Sequence, residues 1–196
     1  MPSPLARALA AVACSAALVL PVAAAGPAAA DTEVKADPRG DVSEIEGRQA
    51  PRPSADVLQL RSRHADGVVA LQVVLADLDT TSAVGTNVSV GTSDGRGFLA
   101  FVQRSEDGTK TVELIEPERD AVVPCPSLRG AVLPAADRIT VSIPRQCLGR
   151  PRWVRTGALS LGVVEPFVLT YADDARRDGR VRQPFPFLGT KRLFLD

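Results

Sequence analysis

Two short acidic stretches hold the residue types best able to do chemistry in this chain. One is DPRGD, in which Asp37 and Asp41 bracket a turn; the other is YADDARRDGR, with Asp173, Asp174 and Asp178. Hard cations such as calcium take several oxygen ligands, carboxylates and carbonyls, on irregular backbone. Aspartates closely spaced in turns can supply such a set, so Asp37, Asp41, Asp173 and Asp174 are candidate ligands of a structural calcium. The same residues would serve equally well as self-capping turn aspartates, with Arg176 and Arg177 balancing the second stretch. A carboxylate pair working as acid and base, as in glycosidases, is a third reading.

A different chemistry is suggested by GTSDG, residues 91–95, which has the G-x-S-x-G spacing of a serine nucleophile elbow. An elbow needs a strand before the serine and a helix after it. Here RGFLAFV follows and reads as another strand, which would put Ser93 in a hairpin turn. The lone histidine, His64, precedes the serine and lies in the turn-like RHADG. One histidine gives no basis for histidine acid–base chemistry or a histidine-rich metal centre. No catalytic residue is therefore assigned. Sugar-binding sandwiches stack rings on exposed aromatics. The candidates for that role are Trp153 and Tyr171, the only Trp and Tyr in the sequence.

The elements that must position these residues alternate with period two. RITVSIP sends Ile139, Val141 and Ile143 one way and Thr140 and Ser142 the other. Val57–Arg63 and Asn87–Gly91 alternate similarly, and VVALQVVLAD, 68–77, is a β-branched run suited to a central strand. Gly97–Gln103 and Thr111–Glu116 flank Asp107-Gly108, a hairpin signal. Trp153–Val164 starts another long strand, and TKRLFLD ends the chain as the last. No stretch has a helical period. The pattern predicts an all-β, antiparallel β-sandwich, jelly-roll-like, as a single domain over 55–196. Residues 31–54, rich in Pro and Gly, are expected to form an irregular lead-in with at most one short edge strand.

The first thirty residues read as an export signal. Arg7 precedes an apolar stretch from Ala8 to Leu20, and small residues end at Ala28-Ala29-Ala30, which places cleavage after Ala30. The stretch is too short to span a membrane stably. Removing it leaves 196 − 30 = 166 residues, with 23 − 1 = 22 basic against 23 acidic. That near-neutral, interspersed balance gives no footprint for nucleic acid. Outside the cell the remaining cysteines, Cys125 and Cys147, are expected to form one disulfide.

With DPRGDV near the start of the exported chain, VSIPRQCLGRPRWVRTGAL in its middle and YADDAR near its end, the sequence resembles a set of small secreted actinobacterial proteins of unassigned function. Their general look is that of β-sandwiches of the DOMON and family-9 carbohydrate-binding-module kind. The resemblance implies a non-catalytic sandwich with Asp37, Asp41, Asp173 and Asp174 as a structural cation site. The chain departs from sugar-binding members in its few aromatics. It departs from haem-binding DOMON members in having no methionine but Met1 to pair with a histidine. The expected function is a secreted binding or association module at the cell surface or outside the cell, not an enzyme, calcium-stabilised, with an extracellular or cell-wall ligand. The alternatives are a secreted hydrolase using carboxylates and a purely structural envelope protein.

Overall fold

The computed structural model describes residues 30–45, 52–164, 169–181, 183 and 185–195. All of the expected export signal except Ala30 lies outside these residues. Hydrophobic alternation sets the core. Strand β4 (Val68–Leu75) buries Val69, Leu71, Val73 and Leu75, and β10 (Arg138–Pro144) buries Ile139, Val141 and Ile143. Each such side chain contributes about 1.5–3 kcal/mol on leaving water. The two strands pair with Val141 opposite Leu71. Around them β1 (Asp31–Ala36), β3 (Val57–His64) and β9 (Arg129–Leu133) complete a five-stranded sheet in the order β1-β3-β4-β10-β9.

The second sheet runs β2 (Ser43–Glu44), β12 (Leu169–Asp174), β11 (Trp153–Val164), β5 (Ala83–Thr92), β6 (Gly97–Arg104), β7 (Lys110–Glu116) and β8 (Ala121–Val122), with β13 (Leu193–Phe194) pairing beside β11. Every pairing in both sheets is antiparallel. Inward side chains of the two sheets, among them Leu71 and Ile139 on one side and Val88, Phe98 and Val154 on the other, join in one core. The protein is thus an all-β antiparallel sandwich. Strands β4 and β10, paired in the first sheet, lead directly into β5 and β11, paired in the second.

The described part of the lead-in, 31–45 and 52–54, contains more strand than its composition suggests. Its first residues form β1, an edge strand of the first sheet, and β2 forms an edge of the second. The largest difference from the sequence reading is β12. YADD looks like a turn, but Tyr171 to Asp174 pair with β11 from Gly162 to Leu159. Burial on the sandwich outweighs the low strand propensity of aspartate.

Two further features fix the frame. Cys125 and Cys147 form a disulfide with Cα atoms 5.7 Å apart, and both half-buried cysteines pack on the core. The C-terminal segment lies across the outer face of the second sheet. Ser89 Oγ donates to Pro186 O at 3.3 Å and Gly189 N–H to Thr156 O at 2.9 Å. A Cβ on Gly157 would stand 1.8 Å from Phe187 O, so only glycine fits under this strap.

Candidate metal centre

Asp173 enters the site from a strand. It lies opposite Ser160 on β11, its neighbour Ala172 opposite Ser43 on β2, and it has no exposed surface. Its Oδ2 accepts from Val57 N–H at 2.7 Å. The loop from Asp37 to Val42, joining β1 to β2, supplies two more carboxylates. Asp37 N–H donates to Leu58 O at 3.0 Å and anchors the start of the loop. Gly40 then reverses the chain at φ 85°, a left-handed conformation natural to glycine. Its N–H is received by both oxygens of Asp56 at 3.0 Å. Asp41 Oδ2 accepts from Gly179 N–H at 3.0 Å, tying this loop to the turn after β12.

The result is convergence. One carboxylate oxygen from each of Asp37, Asp41 and Asp173 lies within 4.8 Å of the others. Both oxygens of Asp37, Oδ1 of Asp41 and Oδ1 of Asp173 are buried without a hydrogen-bond partner. Among the described residues no arginine or lysine pairs with any of the three. Buried carboxylates are ordinarily paired or bound to a metal. Burial, and then the charge of Asp41, push Asp37 up to about 8. Burial does the same to Asp173, also to about 8, against the lowering hydrogen bond from Val57 and with Asp37 and Asp41 adding to it.

The donor set fits calcium. It is all oxygen, carries net negative charge and sits partly on loop backbone. Oxygens sharing one calcium lie no more than about 5 Å apart, and the three here fall within that span. Without a cation, burial and the neighbouring negative charge hold Asp37 and Asp173 in the neutral form near pH 7.

Asp174 does not join them. Successive side chains on a strand point to opposite faces, and β12 sends Asp174 away from Asp173. Its Oδ1 accepts from Arg176 N–H at 3.0 Å and its Oδ2 from Phe187 N–H at 2.9 Å. Asp174 is a clasp for the C-terminal strap and lies outside the group formed by Asp37, Asp41 and Asp173. Burial raises the Asp174 carboxyl, and the charges of Arg177 and Arg176 act against it, as the sequence suggests. The Arg176 guanidinium also pairs with Glu33 of β1, and Arg177 stands 3.5 Å from the centre of the Phe187 ring. Asp56 had no signal in the sequence beyond its place one residue before a strand. It is nearly buried, holds the Gly40 turn, and burial raises its carboxyl.

Neither aromatic candidate is an open platform. Tyr171 is buried against Val42 and Ala55, and the Arg52 guanidinium stands 4.7 Å from its ring centre. Trp153 is half-buried, with Arg192 4.5 Å from its ring centre and Arg155 at 6.0 Å. Ser93 sits in the hairpin between β5 and β6, where its Oγ accepts from Arg152 N–H at 2.9 Å. His64 is fully buried in β3, with Nδ1 2.9 Å from Leu193 O. Comparison with known proteins finds no matching family model, no matching curated protein and no matching solved structure.

Proposed function

We propose that this protein is a secreted, non-catalytic β-sandwich module that binds or associates outside the cell, with its N-terminal loop locked to β12 by calcium. The observation that carries the reading is the group of buried, unpartnered oxygens shared by Asp37, Asp41 and Asp173. A calcium there joins three separate pieces of chain: the β1–β2 loop through Asp37 and Asp41, the β12 strand through Asp173, and the following turn through the Asp41–Gly179 contact. Complete burial of Asp173 supports a holding role over acid–base work on a substrate. The test is thermal unfolding with calcium and then with chelator. A ligand of the folded state alone must raise the melting temperature. Asp173→Asn should abolish the calcium shift and Asp174→Asn should leave it in place. Equal melting of the unsubstituted protein in calcium and chelator would reject the cation.

A further inference from the structure

The outer face of the five-stranded sheet is distinct from the metal centre and has its own character. Cross-strand register builds two rows on it. One runs Thr32, Arg63, Ala70, Ser142, Arg129, and the next Val34, Arg61, Gln72, Thr140, Ala131. A groove of about 730 Å³ lies across these rows. Its exposed surface is mainly apolar, with small residues of β4, β10 and β9 on the floor and Arg61 and Arg63 of β3 and Arg129 of β9 among the residues that line it.

The charge is one-sided. Arg61, Arg63 and Arg129 line the groove, and none has a carboxylate partner among the described residues. Arg61 donates to the Gln59 side chain, and Arg129 to the carbonyls of Pro126 and Leu128. Glu33, the one acidic residue in the lining, has its carboxylate bound by Arg176. With neighbouring strands about 4.8 Å apart, the β3 and β9 walls stand about 14 Å apart across three strand steps. That gap admits a single chain lying along the floor.

We propose that this groove binds a linear anionic glycan carrying carboxylate or phosphodiester groups. The arginines take the anionic groups through forked, charge-assisted hydrogen bonds. Gln72, Thr140 and Ser142 meet the hydroxyls, and Ala70 and Ala131 meet the C–H faces. The groove has no aromatic ring, so it offers nothing for neutral sugars or nucleic-acid bases to stack on. It is a sheet face and not an edge, so an acidic peptide would find no backbone ladder to extend. The inference rests on the reading of the protein as an extracellular binding module, and is independent of calcium.

The test is calorimetric titration of the protein with polygalacturonate, with a phosphodiester-linked glycan, poly(N-acetylglucosamine 1-phosphate), with neutral dextran and with a mixed-sequence single-stranded DNA. Binding of either anionic glycan supports the proposal, and the two arms separate carboxylate from phosphodiester. Three neutralised charges should weaken binding about 15- to 20-fold between 50 and 200 mM salt. Replacing Arg61 and Arg63 by alanine should weaken it at least about tenfold, and R129A should reduce the salt dependence by about a third. Both variants should keep the wild-type melting temperature and calcium shift, which separates loss of this site from failure of the metal centre or of the fold. The proposal is overturned if neither anionic glycan binds, if dextran or DNA binds as tightly, or if the arginine variants bind unchanged.

Discussion

The metal centre should reverse the pH dependence of stability. Asp37 and Asp173 titrate at about 8 in the folded protein, against about 3.9 for an unfolded aspartate. The folded state then binds more protons than the unfolded state between these values. Stability supplied by such groups is full below the unfolded value and is lost as pH rises through about 8. Over the window from pH 6.5 to 8 the one histidine, His64, adds only a small slope of opposite sign, because its unfolded form loses its remaining half-charge there while burial already disfavours the charged form in the folded protein. Each proton held in the folded protein should cost about 1.5 kcal/mol of stability across the window when it leaves. For a chain of 196 residues that is a fall of about 5 °C in melting temperature per proton. Calcium at a hundredfold excess over its dissociation constant should restore about 2.7 kcal/mol, or about 8 °C, at pH 8. It should restore less at pH 6.5, where it must displace the protons. Scanning calorimetry at pH 6.5, 7.25 and 8, with calcium and with chelator, measures both slopes. Parallel slopes in the two conditions, or stability rising with pH in chelator, would refute the reasoning.

Three other outcomes follow from particular contacts. Gly157→Ala places a methyl on the Phe187 carbonyl and should destabilise by about 1–3 kcal/mol, read in denaturant unfolding; an unchanged midpoint would show that the strap is not seated there. Replacing Cys125 and Cys147 by serine opens a loop of sequence separation 22. It should cost about 3 kcal/mol and about 9 °C, read by calorimetry, with the fold retained by circular dichroism. Burial, with a smaller push from the Arg145 charge and against the Leu193 carbonyl, holds His64 below its usual range. Its contribution is therefore present above about pH 6.5 and lost as pH falls through the lower folded value. The Cε1 proton resonance of this lone histidine should titrate with a midpoint below that of a free histidine, and a midpoint at or above it would contradict the burial.

Much of the frame is written locally. Ile139, Val141 and Ile143 alternate because one side of their strand meets a core, and that pattern marks β10 in any context. Asp107-Gly108 marks the β6–β7 hairpin by turn geometry, and Cys125 and Cys147, the two cysteines outside the apolar N-terminal stretch, mark the bridge. Short edge elements are fainter. β9, RGAVL, buries little and contains a glycine, so no strong period marks it.

The acidic residues divide along the same line. The sequence determined that Asp37, Asp41, Asp173 and Asp174 were available, because residue type alone decides which groups can offer oxygen to a cation. Which of them meet was decided only by tertiary structure. Pairing with β11 makes YADD a strand, and a strand sends adjacent side chains to opposite faces, so Asp173 faces the loop while Asp174 clasps the strap. The arginine groove has the same origin. Arg61 and Arg63 share one face of β3 by alternation, but Arg129 is distant in sequence, and only the antiparallel register of the strands sets it across the same floor.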